Sequence, residues 1–293
     1  MNSKKTADRI MPFIPFVPLP ATGVGVYTMM YFDVPAAVWL LNLAVVCLGT
    51  FISLLLLKKP VPQPDINPIL VLAVLSLLLV GTFFSSGVMD VHRWININSL
   101  QLNVGLMVTP LILIQISRIA TRTFALTFSV LVTIVFLLQP DASLVSAFAV
   151  SVYVLLVKKP RGRQIGLSFL FFALFVIGYS WHNLDGLEPV RYVETITAMA
   201  REISMTLYFV SIISLLLLVV PFVYPYPKND QLSISLGIYF LISLLAPFFG
   251  HFPVMFMGYG ISPILGYFIA LVWKINTHSS ETRKELVLLK KTG

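Results

Sequence analysis

Apolar residues fall along this chain in long blocks, near residues 34–57, 67–88, 98–117, 122–139, 143–157, 166–181, 203–225, 232–252 and 257–274, with short polar breaks between them. Most approach the roughly 20 residues that a helix needs to cross a bilayer. An earlier block, 10–32, is apolar throughout, but Pro12, Pro15, Pro18 and Pro20 remove backbone donors and disfavour a continuous helix in its first half. The pattern predicts an all-α, polytopic transmembrane helix bundle of about ten spans, or about nine if the Pro-rich run does not cross. Short connections make consecutive spans antiparallel neighbours in a compact bundle. No inverted repeat of the transporter kind is evident. The expectation is one integral domain over 1–293, with tails at 1–9 and 277–293 and a main outer loop at 182–204 containing a short helix.

Composition agrees with this pattern. Hydrophobic residues make up 58% of the chain and charged ones 11%, against roughly 25% charged in soluble domains. Cys47 is the single cysteine, so no disulfide framework exists. His92, His182, His251 and His278 show no paired-ligand spacing, and no metal site is predicted. The net charge of +8 reads as a topology signal beside anionic headgroups, not as a nucleic-acid footprint. If 10–32 crosses, one side collects every Lys and Arg except Arg93, Arg191 and Arg201. That imbalance places both termini in the cytoplasm of a multi-pass plasma-membrane protein. The N-terminal stretch lacks a small-residue cleavage site.

Chemistry is then expected on the outer face, since an ionised group within hydrocarbon is costly. The loop 182–204 holds Asp185, Glu188, Glu194, Glu202, Arg191 and Arg201. With Pro189 in the first turn of an outer helix, Arg191, Glu194, Ala198 and Arg201 fall on one stripe. Plainer roles stand beside functional ones. Arg191 and Glu194 make an i,i+3 surface ion pair. Asp141 after Pro140 is a helix start, and Arg93-Trp94 is a basic and aromatic interface anchor. Gly258, Gly260 and Ser262 suit helix packing, Asp185-Gly186 is a turn signal, and the basic tail 277–293 suits contact with anionic lipid.

Four outer segments occur in a definite order: Gly87-Val88-Met89-Asp90-Val91-His92-Arg93-Trp94-Ile95 followed by Gln101; Leu138-Gln139-Pro140-Asp141; Pro189 to Glu202, with Glu194, Ile196, Ala198 and Glu202 at fixed spacing; and Pro247-Phe248-Phe249-Gly250, Pro253, then Gly258-Tyr259-Gly260-Ile261-Ser262. Together they resemble the SEDS (RodA/FtsW-type) family of cell-wall glycosyltransferases, over most of the chain from Val34 onward. The family carries A-R-R-W-I, Q-P-D-x-G-T, P-E-A-H-T-D-F-I-F-A-V-x-x-E-E and P-x-T-G-x-P…S-Y-G-G-S-S segments. Its essential aspartate falls on Glu194, its neighbouring histidine on Tyr192 and the first arginine of R-R-W on His92. The stretch between Lys159 and Pro189 is shorter than in the family, without its basic motif and glycine-rich segment.

The resemblance implies polymerisation of a polyprenyl-pyrophosphate-linked sugar of the lipid II kind, which needs a base for the acceptor hydroxyl and donors for the departing pyrophosphate. It makes Glu194 the candidate base. Arg93 is then a pyrophosphate clamp, joined in substrate binding by Arg191, Arg201, Trp94 and Asp141, the last orienting a metal-bound water or capping the next helix. A carboxylate flanked by two arginines is expected to stay ionised near neutral pH. No cofactor is implied beyond an optional divalent cation. The alternatives are a silent scaffold, binding lipid-linked precursor or a single-span class B penicillin-binding protein, and a precursor transporter. The last is the weakest reading, because the spans lack mid-membrane carboxylates.

Overall fold

The computed structural model describes residues 9–61, 66–98, 100–157, 162–223 and 230–292, with side chains as far as residue 280. The helices are α1 (Leu19–Tyr31), α2 (Ala36–Lys58), α3 (Pro68–Gly81), α4 (Val104–Arg118), α5 (Arg122–Leu138), α6 (Ala142–Val157), α7 (Gly162–His182), the short α8 (Arg191–Glu194), α9 (Ile196–Ile203), α10 (Met205–Leu217), the one-turn α11 (Val220–Val223), α12 (Gln231–Leu245) and α13 (Ile261–Thr292). Strands β1 (Trp94–Ile97) and β2 (Leu100–Asn103) form an antiparallel hairpin, with Trp94 opposite Asn103. Among the described residues, five runs are long and apolar enough to cross a membrane: Met11–Tyr31, Ala36–Lys58, Gly162–His182, Met205–Val223 and Gln231–Phe248. Shorter apolar helices and α13 complete a polytopic membrane bundle.

Most prolines of the Pro-rich run sit where donors are not needed: Pro12 lies in the first turn of the 3-10 helix Met11–Phe16, Pro18 caps α1 and Pro20 lies in its first turn, while Pro15 is inside the 3-10 helix. Thr50 Oγ1 of α2 donates to Pro15 O at 3.1 Å, tying this run into the bundle. Polar side chains start later helices by accepting from exposed backbone donors: Asn67 from Ile69 N at 2.9 Å, Asn103 from Leu106 N at 3.0 Å and Ser204 from Leu207 N at 3.1 Å.

One expectation of the helical pattern needs correcting. The block at 98–117 does not open as helix; residues 100–103 are strand and α4 begins at Val104. Leu100 and Leu102 alternate there with Gln101 and Asn103, a strand period running into a helical one. From residue 277 the chain continues α13 without a break as far as Thr292. The expected N-terminal tail lies outside the described residues apart from Arg9, as do Lys158, Lys159, Arg161 and Lys228.

Burial follows the logic of a lipid solvent. Phe171 and Phe175 on α7 are each 74% exposed, while Ser53, Ser129 and Thr133 are buried. Those hydroxyls donate to the carbonyl four residues earlier, at 2.6–2.8 Å, so these three are satisfied within their own helices. Helix α6 is buried along nearly its whole length, packed between α5, α7, α12 and α4; Ser235 Oγ of α12 donates to its Ser151 O at 2.9 Å. Helix α13 packs on α2 and α4, so closely that a Cβ on Gly266 would lie 2.2 Å from Leu106 O. Near its middle, Lys274 Nζ pairs at 3.2 Å with Asp230 Oδ2 at the start of α12.

Replacing Gly266 by Ala should therefore destabilise the bundle by about 1–3 kcal/mol, the usual cost of overpacking. Gly23→Ala, with nothing within 4 Å of the added carbon, should not lower the melting temperature in detergent, since Ala is the better helix former.

Candidate functional site

Four connections meet at one end of the bundle: the β hairpin, the turn between α5 and α6, the loop from α7 to α10, and the segment from Ala246 to Gly260 ahead of α13. The first is placed by Arg93, which is buried at 5% exposure. Its Nε donates to Gln139 O at 2.8 Å, and one terminal nitrogen donates to Pro140 O and to Asp185 Oδ2. Asp141 Oδ2 lies 3.8 Å from Nε. One guanidinium thus joins three connections, and its charge is matched by two carboxylates, as a buried cation requires. Trp94 lies beneath it, ring centroid 5.9 Å from the guanidinium carbon.

Asp141 caps α6, its Oδ1 accepting from Leu144 N at 3.0 Å. Asp185, read from sequence as a turn residue only, does shape a turn through Leu187 N at 3.1 Å, but it is also the ion-pair partner of Arg93. A residue 92 positions away supplies that partner, so no local pattern could show it.

The helix expected from Pro189 onward is interrupted. Thr195, at φ −113 and ψ 20, separates α8 from α9, so Arg191, Glu194, Ala198 and Arg201 do not share a continuous stripe. Arg191 binds Glu202 through both carboxylate oxygens, at 2.6 and 2.8 Å, and lies 5.6 Å from the Phe32 ring. The expected Arg191–Glu194 pair is replaced by this one because the break turns Arg191 toward the end of α9. Arg201 is exposed on α9.

Glu194 closes back on its own turn, Oε2 accepting from Val190 N at 3.0 Å. Its pKa is raised above the usual carboxylate range; burial is the largest cause, outweighing the Val190 hydrogen bond and the positive charges of His251 and Arg93, while Asp185 adds to the rise. The arginines expected to flank it, Arg191 and Arg201, are not among the groups that shift it. The charges acting on Glu194 come from other connections, and the net effect runs the other way.

Main-chain bonds hold this loop against the segment before α13. Val254 N donates to Val193 O and Tyr259 N to Tyr192 O, both at 3.0 Å. Gly258 is needed there, since a Cβ would lie 2.1 Å from Val193 O. From α2, the buried Asn42 donates to Gly258 O at 2.8 Å and accepts from Gly260 N at 3.2 Å. Ser262 accepts from Asn103 N at 2.9 Å, joining the hairpin to the start of α13. Sequence reasoning missed Asn42 and His251. An Asn inside an apolar block was the available signal for the first. Among the described residues, no three His, Cys, Asp or Glu side chains come together as a metal site.

No family model and no curated protein sequence matches the chain. Among solved structures it is similar to the rod shape determining protein RodA of Thermus thermophilus. A point variant of that protein gives a TM-score of 0.64 at 14% identity, over 90% of this chain and 96% of that one. A second structure of it gives 0.57 at 14% identity, over 90% and 95%. The chain has a RodA-like fold.

Two outcomes are expected from this geometry. Arg93→Ala strands Asp185 and Asp141, and should cost about 3–5 kcal/mol of stability with no substrate present, read as a lowered melting temperature. For Glu194, the folded state binds the proton more tightly than the unfolded chain, so stability should fall as pH rises from the ordinary carboxylate value through the raised one. Glu194→Gln should remove that slope in melting curves recorded between acid and neutral pH.

Proposed function

We propose that the chain is a divergent SEDS-type glycosyltransferase of a bacterial plasma membrane, acting in cell-wall synthesis on a polyprenyl-pyrophosphate-linked sugar of the lipid II kind. The observation that carries this reading is Glu194: a carboxyl with a raised pKa, fixed by main-chain bonds on the outer end of a RodA-like bundle. A base works best with a pKa near the working pH, and burial moves Glu194 in that direction. In the reaction, the acceptor hydroxyl oxygen bonds to the anomeric carbon of the donor sugar and the bond from that carbon to the pyrophosphate breaks. The hydroxyl proton passes to Glu194, and the electron pair leaves with the pyrophosphate. Arg201, exposed on α9, is the cation we assign to the leaving group, and His251, which acts electrostatically on Glu194, is assigned to it as a hydrogen-bond donor. Arg93 is committed to Pro140, Gln139 and Asp185, so its part is to hold the floor of the site. The one-sided distribution of Lys and Arg supports cytoplasmic termini.

A second reading draws on that same commitment of Arg93. With its guanidinium turned into the protein, the bundle serves as a silent scaffold for the lipid-linked precursor or for a class B penicillin-binding protein.

Purified protein in liposomes with lipid II, with and without the single-span partner, separates the two. The first reading expects polymer from the wild type and a loss of about 100-fold or more in Glu194→Gln, the scale of a lost general base, with melting behaviour preserved. Precursor binding without polymer in either preparation supports the scaffold. Full activity of Glu194→Gln removes Glu194 as the base.

A further inference from the structure

At the end of the bundle opposite Glu194, two cavities of about 390 Å³ and 220 Å³ lie beside α13. Both are lined by Ile269 and Val272, so they form one trough along that helix, with α2 as the second wall and α4 closing the part nearest the mouth. Its lining runs along α13 from Leu265 to Asn276, about 16 Å at 1.5 Å per residue. That is half of the ~30 Å hydrocarbon core, the depth of one leaflet.

The trough is apolar along its length and polar only at its mouth, where Gln115, Arg118 and Asn276 line it. Arg118 donates to Gln115 Oε1 at 3.1 Å and to Ile66 O at 3.4 Å, which holds its guanidinium at the opening. Asn276 accepts from Val61 N at 2.9 Å and donates to Val61 O at 2.7 Å, fixing the chain that leaves α2 as a lip. Exposed Lys58 and Lys59 end α2 on the same side, and among the described residues the lining holds no carboxylate.

We propose that this trough binds one anionic phospholipid from the leaflet on the basic side, with its phosphate at Arg118 and an acyl chain lying along α13 toward Leu265. The occupant follows from length and charge together. A trough one leaflet deep fits a single acyl chain, and a guanidinium at the headgroup level with lysines beside it selects a negative headgroup. The bound lipid would link α2, α4 and α13 at the end where α13 emerges from the membrane.

The test is native mass spectrometry of the full chain in detergent, titrated with phosphatidylglycerol or phosphatidylcholine. One phosphatidylglycerol per chain is expected, retained about tenfold better than phosphatidylcholine, on the scale of a charge-assisted hydrogen bond. Arg118→Gln should erase the preference, and Val272→Trp, which fills the trough, should abolish retention of either lipid. Leu77→Trp, on the exposed face of α3, should change neither. Arg118→Lys, keeping charge without the fork, should retain part of the preference, which covers the case of a poorly folding Arg118→Gln. Equal retention of the two lipids, retention unaffected by Arg118→Gln and Val272→Trp, or a protein chain occupying the trough instead would overturn the proposal. None of these results depends on polymer formation, so the assignment stands or falls apart from that of Glu194.

Discussion

One buried cation organises one end of this molecule. The Arg93 guanidinium lies between two carbonyls of the α5–α6 turn and the carboxylate of Asp185, with Asp141 close by. Because a desolvated charge must be matched, the hairpin, the turn and the start of the loop after α7 can close only in a mutually consistent arrangement. The same negative residue that matches Arg93 also raises the pKa of Glu194. The structural charge network and the candidate base are therefore electrostatically coupled, and a change in one is felt by the other.

Below that face the bundle is governed by lipid. Large apolar side chains turn outward and small hydroxyl residues turn inward, several of them, such as Ser53, Ser129 and Thr133, bonding within their own helix. Association then relies on close backbone approach more than on burial of bulk, as where α13 meets α4 at Gly266. Polar anchoring is placed at helix ends: Asn42 holds the segment before α13 at the upper end of α2, and Asn276 holds the exit of α2 near the other.

Much of this architecture was legible from the apolar blocks, whose length and spacing identify helices that cross a bilayer. The hairpin was not, since its four-residue strands run directly into the block that becomes α4. The break at Thr195 was hidden for a different reason: no Gly or Pro marks it, and the turn is imposed by main-chain bonds from Val254 and Tyr259. Among the site residues, Glu194, Arg93 and Asp141 were recognisable by type and position. Their partners were not, because Asp185, Gln139 and His251 come from remote connections, and Arg191 finds Glu202 eleven positions away.

The tether between the α8 turn and residues 254–259 has a consequence for divergence. It is written almost wholly in peptide groups, which every amino acid other than proline supplies alike. Tyr192, Val193, Val254 and Tyr259 can therefore be exchanged for many other side chains without loosening the joint, while Gly258 and Asn42 cannot. A scaffold joined in this way can drift far in its letters and still superpose, as this chain does at 14% identity.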